Sequence, residues 1–356
     1  MYCRLSARIT VVCAALLLAF GHPSLASPMP DETGRIPILM YHGIGEKHRH
    51  SASPYDRHGW NISPDTLRRQ LQQMYDAGWY PVNMRDVVSA RIAVPAGKTP
   101  VVLTFDDARA TQFRYLPDGR IDPNCAVGIL EAFHASHPDW LTRASFYILP
   151  DSKWNPVPFG QRGRDTEKLR FLVEHGYEIA NHSTSHHPFT SMSASRIRWE
   201  LAQCQRYVRK RVPAATMDTF ALPYGAGPRD PALWSTLFWG RDGGTIYHHS
   251  VVLLAGGDPA YPPTDRKFNP RRVMRLGAEP GFIEGWICSL RRGKPLRPYV
   301  SDGDPTVVTV PWSEAAHVDR HRLVTDGQRL VVYGSAPVKA RPVRTALQIL
   351  PGRSRL

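Results

Sequence analysis

The stretch VVLTFDDARA, residues 101–110, sets an uninterrupted apolar run directly against two adjacent carboxylates, Asp106 and Asp107. Apolar and β-branched residues occupy both the odd and the even positions of the run, which predicts a strand buried on both faces, as in a parallel sheet covered by helices. Ligand sites of parallel α/β folds lie at the carboxyl ends of strands, so two acids at this point favour a functional site. The alternative is that they cap a following helix or turn.

Further strands and helices alternate on both sides of this run. Residues 35–45 and 79–82 are typical of short strands, and between them Ser63, Pro64 and Gly78 mark the start and end of a helix. Later strand-like runs lie at 143–150, 176–180, 219–223 and 250–257, and helical segments separate most of them, at 126–137, 167–175 and 194–210. This alternation predicts an α/β fold with a parallel sheet closed or nearly closed into a barrel.

The two ends of the chain differ from this pattern. Arg4 and Arg8 precede a twelve-residue, mostly apolar segment and then small residues, which predicts that residues 1–26 are a secretory signal peptide. A membrane span is the weaker alternative, because the apolar core is shorter than the roughly 20 residues that cross a bilayer. Residues 291–356 contain short β-like runs split by Asp-Gly turns, with no helical period between them, and predict a β-rich tail.

The charge and the cysteines limit partners and compartment. The formal charge is +14, and +12 without the two arginines of the predicted signal peptide. No aromatic residues are interspersed among the basic ones, and no nucleic-acid-binding motif is present. For an exported protein we therefore expect the electrostatic partner to be an anionic envelope surface or polymer rather than nucleic acid. The alternative is that the basic residues only form a solvated surface. Cys125, Cys204 and Cys288 form no disulfide framework or thiolate metal motif, and we expect each to be buried.

A second cluster of polar residues follows another apolar run. The stretch EIANHSTSHHPF, residues 178–189, carries His182, His186 and His187. Imidazoles four residues apart can converge on one ion, and two of them with one carboxylate form a set that suits a divalent metal, most often Zn²⁺. A His-rich surface loop is the alternative, and His187 stays open as another ligand.

These motifs, in this order, resemble the polysaccharide deacetylase (NodB-homology) family. The shared features are Thr-Phe-Asp-Asp at 104–107, His-Ser-Thr-Ser-His at 182–186 and a Pro-Tyr-Gly turn at 223–225. A Gly-x-Glu-Ile strand at 176–179 precedes the second of these motifs, as it does in the family. The resemblance covers roughly residues 35–290 and implies a distorted (β/α) barrel there, followed by the tail.

The resemblance also implies residue roles. Asp107, His182 and His186 would hold the metal, and Asp106 would act as general base on a metal-bound water. The backbone N–H of Tyr224 would stabilise the oxyanion formed when the water attacks the acetamide carbonyl.

Two departures from the family pattern leave roles to fill. Ala221 and Leu222 stand where many members carry an arginine that orients the base, and Arg275 is a candidate replacement from another strand. Ala255 stands where many members carry a histidine that acts as general acid. A strand ending in Met-Tyr-His at 40–42 resembles a subset of the family in which the order of pieces is permuted, so His42 is the candidate acid; a structural histidine is the alternative.

The sequence therefore predicts a secreted, metal-dependent hydrolase, periplasmic or extracellular, with no stable membrane span after signal cleavage. It would remove N-acetyl groups from poly-N-acetylglucosamine, a chitin-like oligomer or peptidoglycan. The alternative is a catalytically inactive barrel that binds such a glycan through aromatic residues such as Trp60, Trp154 and Trp239. Asp106, which a pure binding protein would not need, favours catalysis.

Overall fold

A computed structural model describes residues 28–45, 60–153, 155–293 and 296–335 of the chain. The predicted signal peptide and Trp154 lie outside the described residues. Within them the strands are β1 (Ile38–Tyr41), β2 (Trp79–Val82), β3 (Thr99–Phe105), β4 (Ser145–Ile148), β5 (Glu178–Asn181), β6 (Thr219–Ala221), β7 (Trp239–Asp242), β8 (Thr245–His248), β9 (Val251–Leu253), β10 (Leu276–Gly277), β11 (Val307–Pro311) and β12 (Arg329–Tyr333). The α-helices are α1 (Pro64–Asp76), α2 (Met84–Val88), α3 (Ala126–Ser136), α4 (Asp165–Glu174), α5 (Ala194–Arg211), α6 (Phe282–Arg291) and α7 (Arg320–Thr325).

Eight of these strands form one parallel sheet, in the order β10-β1-β3-β4-β5-β6-β9, with β2 paired to the first half of β3. Every residue of β3 is buried, which confirms the prediction that both faces of this strand are covered. The parallel arrangement places the carboxyl ends of β1, β3, β5 and β6 along one rim. The acids after β3 and the histidines after β5 therefore share that rim.

The segment before β10 bridges the two edges of the sheet. The N–H of Val273 donates to the carbonyl of Val252 on β9 at 3.1 Å, and Leu276 pairs with Leu39 on β1. The strands therefore curve into the predicted (β/α) barrel, with residues 273–276 spanning the seam. Arg275 lies within this bridging segment.

The first long helix, α1, forms for the reasons read from the sequence. The Ser63 hydroxyl accepts from the Thr66 N–H at 3.0 Å, Pro64 occupies the first helical position, and Gly78 follows the end with a φ of +72°. Leu67, Leu71 and Met74 are fully buried against the sheet.

The C-terminal region contains β-strands, as predicted, together with helical segments that were not predicted. Strands β11 and β12 pair in parallel, and a 3₁₀ turn and helix α7 lie between them, so the expected absence of helix was wrong. Parallel strands need a crossover connection, and the six residues of α7 are too few to show a helical period in the sequence. Helix α6 and the β7–β8 hairpin were also not predicted. The boundary of the tail at residue 291 stays a prediction.

The three described cysteines are free thiols, and only Cys125 and Cys204 are buried. Cys288 is exposed on α6, so the expectation that it is buried was wrong. No helix in the described part of the chain is both long and apolar enough to span a membrane.

Candidate active site

The structure brings the three predicted metal ligands to one point on the rim. Oδ1 of Asp107, which follows β3, lies 3.3 Å from Nε2 of His182 and 3.3 Å from Nε2 of His186. Two bonds of about 2.0–2.2 Å at a tetrahedral angle would separate their ligand atoms by about 3.3–3.6 Å. These two distances fit a single tetrahedral ion, and the ligand atoms of all three residues lie within 4.8 Å of one another.

The hydrogen bonding of His182 also fits a metal ligand. Its Nδ1 lies 2.8 Å from the Ala221 carbonyl, so Nδ1 carries a proton and Nε2 is the ring nitrogen that faces the cluster. His182 Nε2 and Asp107 Oδ1 are both buried with no hydrogen-bond partner among the described residues. Buried polar atoms without partners are unfavourable, and a bound cation would satisfy both.

The third histidine of the motif does not join the cluster. His187 is exposed, and its Nδ1 lies 2.7 Å from the Ser185 hydroxyl. The left-handed backbone of His186, with a φ of +59°, turns the chain so that the next residue faces solvent. The suggestion that His187 is an alternative ligand is therefore wrong for this structure.

A strained turn carries Asp107. Asp107 and Ala108 have φ values of +78° and +48°, a conformation that costs a residue other than glycine about 1–3 kcal/mol. The Asn155 side-chain amide donates to the carbonyls of both, at 2.7 and 3.0 Å, and holds the turn in place. Asn155 was missed in the sequence, because an isolated asparagine 48 residues away carries no local signal.

The loop that carries His182 and His186 depends on another residue that sequence reasoning missed. Glu200 on α5 is fully buried, and its Oε2 accepts from the backbone N–H groups of Thr184 and Ser185 at 3.0 and 2.9 Å. Two donors on one carboxylate oxygen fix the backbone between the histidines. The spacing of Glu200 from this loop gives no motif that could have identified it.

The second acid, Asp106, is held by Arg275. The two guanidinium nitrogens donate to the two carboxylate oxygens at 2.7 Å each, and both side chains are almost completely buried. Arg275 also donates to the Thr104 hydroxyl and the Leu254 carbonyl, both at 3.1 Å. Asp106 is thus paired with an arginine from the segment that bridges the barrel seam, whereas Ala221 and Leu222 stand where many family members carry an arginine.

The environment keeps Asp106 ionised. Burial raises the pKa of Asp106, but the charges of Arg275 and His182 outweigh burial, so this pKa lies below its usual value. Oδ2 of Asp106 lies 3.9 Å from Nε2 of His182, at the edge of the metal cluster. A charged carboxylate therefore lies beside the position that a metal would occupy.

These residues open onto one cavity of about 820 Å³. Its wall includes His42, whose buried ring stacks on Trp60 at 4.9 Å between centroids, and Tyr224, whose ring meets His186 edge-on at 4.5 Å. Burial lowers the pKa of His42 to about 4, despite the opposing charges of Asp107 and Asp106, so His42 is neutral at neutral pH. Tyr224 has a left-handed backbone, with a φ of +58°, within the Pro-Tyr-Gly turn.

Two other histidines, His248 and His249, do not line this cavity. His249 is buried, with its Nδ1 2.6 Å from the Leu237 carbonyl, and His248 is exposed on the β7–β8 hairpin. Neither is placed to act as the general acid. Trp239 is exposed on the same hairpin, so of the described tryptophans proposed to bind glycan only Trp60 reaches the cavity.

Comparisons with known proteins agree with this geometry. Residues 93–235 match the family model described as polysaccharide deacetylase. The structure is similar to the Streptococcus pyogenes deacetylase PplD, solved with acetate, with a TM-score of 0.52 and 19% identity over 73% of this chain and 98% of that one. It is also similar to BC0361, a polysaccharide deacetylase from Bacillus cereus, with a TM-score of 0.51 and 14% identity over 72% of this chain and 69% of that one.

A comparison with curated proteins gives no significant match. The two structural likenesses establish a shared barrel fold, and the matched segment contains Asp106, Asp107, both histidine ligands and the Pro-Tyr-Gly turn. The motifs that suggested the family and the geometry that they produce thus agree with the family model. Over residues 93–235 this chain is therefore similar to the polysaccharide deacetylase family in both sequence and site geometry.

Proposed function

We propose that this protein is an exported, metal-dependent hydrolase that removes N-acetyl groups from an N-acetylated polysaccharide or oligosaccharide. Candidate substrates are poly-N-acetylglucosamine, a chitin-like oligomer and peptidoglycan. The observation that carries the proposal is a metal-binding set, Asp107, His182 and His186, placed beside a second carboxylate that Arg275 keeps ionised. Two imidazoles with one carboxylate suit zinc.

The chemistry divides between the two acids. When bound, a divalent ion lowers the pKa of its water to about 7 and polarises the acetamide carbonyl. Asp106 then takes the water's proton, and Oδ2 is the oxygen nearer the cluster. Arg275 orients this carboxylate through two hydrogen bonds.

Two further residues complete the proposed mechanism. The backbone N–H of Tyr224 stabilises the oxyanion that forms at the acetamide carbon. His42 donates a proton to the leaving amine as the carbon–nitrogen bond breaks. Because its pKa of about 4 leaves His42 neutral at the start of the reaction, the proton that Asp106 takes from the water would have to pass to His42 before the leaving amine receives it.

The alternative of an inactive glycan-binding barrel has less support. Trp60 lies in the cavity, but Trp239 lies on the outer hairpin, so the described tryptophans do not form one binding surface. A protein that only binds glycan has no use for a buried Asp106–Arg275 pair, whose burial costs several kcal/mol of desolvation per ion.

Acetate release from the three candidate glycans, with and without a chelator, tests the proposal. Asp106→Asn preserves the shape of the side chain but cannot accept the proton, so we expect retained metal and a loss of about 10²–10⁴ in rate. Wild-type protein that holds metal but releases no acetate from any of the glycans would support the binding alternative. Full activity of Asp106→Asn would assign the base to another group.

A further inference from the structure

The charges on the wall of the cavity are unbalanced. Its described lining contains two carboxylates, Asp106 and Asp107, and three guanidinium groups, those of Arg109, Arg162 and Arg275. A divalent ion would raise this excess of one positive charge to three. A neutral acetylated sugar offers nothing to offset that charge, whereas an anionic one would be attracted to it.

Both carboxylates are already engaged by other groups. Asp106 accepts two hydrogen bonds from Arg275, while Asp107 faces the two histidines and accepts from Nε of Arg109 at 3.1 Å. Arg162 forms no salt bridge with a described residue, although it lines the same cavity. Its guanidinium is therefore the lining cation that is available to a ligand.

The wall segment that precedes Arg162 is fixed to the turn that carries Asp107. The N–H of Phe159 donates to the Ala108 carbonyl at 2.5 Å, and Asn155 donates to the carbonyls of Asp107 and Ala108. Lys168, which is fully buried, donates to the Phe159 carbonyl at 2.9 Å. Residues 155–159 are thus fixed to the turn that holds Asp107, and Arg162 follows them in the chain.

Resting on the proposed function, we infer that the substrate is a glycan that carries carboxylate groups beside its N-acetylated units, and that Arg162 binds such a carboxylate. A planar guanidinium pairs with a carboxylate through two parallel hydrogen bonds, which provides orientation as well as charge. The carboxylate has two possible sources, a neighbouring hexuronate or a lactyl ether on an amino sugar.

Three tetrasaccharides separate these sources. One is a neutral N-acetylglucosamine oligomer, one alternates N-acetylglucosamine with glucuronic acid, and one alternates N-acetylglucosamine with N-acetylmuramic acid. We expect a higher kcat/KM for at least one acidic tetrasaccharide than for the neutral one, and the preferred acidic oligomer identifies the source. The preference should weaken as salt is added, because exposed charges are screened.

Arg162→Gln and a matched control test the residue itself. Arg162→Gln should lower the ratio of kcat/KM for the acidic over the neutral tetrasaccharide by about tenfold, mainly through KM. Arg170→Gln, on the exposed face of α4 and outside the cavity lining, removes the same charge and should leave the ratio unchanged.

The outcomes distinguish failure of the Arg162 inference from failure of the proposed deacetylase function. Equal turnover of all three tetrasaccharides by the wild-type protein, or the same ratio in Arg162→Gln and Arg170→Gln, overturns the inference and leaves the deacetylase proposal intact. Metal-loaded protein that releases acetate from none of them overturns both.

Discussion

Replacing Arg275 should destabilise the protein and inactivate it, and the structure sets the size of the effect. Arg275 is 1% exposed and Asp106 is 2% exposed, and two hydrogen bonds of 2.7 Å join them. Arg275→Met would leave a buried carboxylate without its compensating charge. Breaking such a pair from one side costs about 3–5 kcal/mol.

The pH dependence of this loss follows from the pKa of Asp106. In the wild-type protein burial raises this pKa, but Arg275 and His182 bring it below its usual value, so the pair stabilises the fold at pH above about 4. Without Arg275 the pKa of Asp106 rises, and protonation relieves the buried charge as the pH falls. The gap in unfolding free energy between wild type and Arg275→Met should therefore narrow from pH 8 to pH 5.

Urea unfolding of metal-free protein measures this gap, and a double variant isolates the pair. Arg275→Met with Asp106→Asn removes both charges, so it should be more stable than Arg275→Met alone, and the two single losses should not add. Arg275→Lys is a matched control that keeps the charge but cannot bond both oxygens, and it should fall between wild type and Arg275→Met. Strict additivity, or wild-type stability of Arg275→Met, would refute the ion-pair assignment.

Three further predictions concern other parts of the chain. His182→Ala should lose bound metal by elemental analysis, whereas the matched His187→Ala should retain it, and full occupancy in both would contradict the ligand assignment. His42→Ala should keep its fold and metal but lose about 10² in acetate release; a lower melting temperature with turnover intact would instead show a structural role. Burial raises the pKa of Glu32 to about 7, so the folded protein holds this proton more tightly than the unfolded chain does. The protonated carboxyl therefore stabilises the fold by up to about 3 kcal/mol below pH 4.5, and this stabilisation is lost as the pH rises through about 7. Glu32→Gln should flatten the slope of unfolding free energy across this pH window, and an unchanged slope would show that other groups set it.

The fold could be predicted where the hydrophobic pattern was long enough. The apolar run of β3 and the capped helix α1 both carry patterns of several residues, and the structure confirms both. Helix α7 has six residues, and the strands on either side of it resemble a hairpin in sequence because parallel and antiparallel strands share the same alternation. Sequence periodicity reports burial, but it does not report which neighbour a strand pairs with.

The site could be predicted only where its residues are close in sequence. Asp106 and Asp107, and likewise His182 and His186, belong to short motifs, whereas Arg275 reaches Asp106 across 169 residues. Arg275 was a candidate because the motif lacked an arginine, not because of any feature around it. No missing motif residue pointed to Asn155 or Glu200, although each fixes a loop that carries predicted metal ligands.

Adjacent acids can take different roles here because the backbone changes conformation between them. Asp106 still bonds within the sheet, with its N–H donating to the Tyr41 carbonyl at 2.9 Å, whereas Asp107 adopts a left-handed φ. One side chain therefore meets the guanidinium of Arg275 and the other meets two imidazoles. Burial lowers the pKa of His186 to about 4, so this ring offers a neutral lone pair rather than a positive charge. Asp107 Oδ1 thus faces two ring nitrogens, whereas both oxygens of Asp106 accept from Arg275, and that difference supports the proposed division into metal ligand and base.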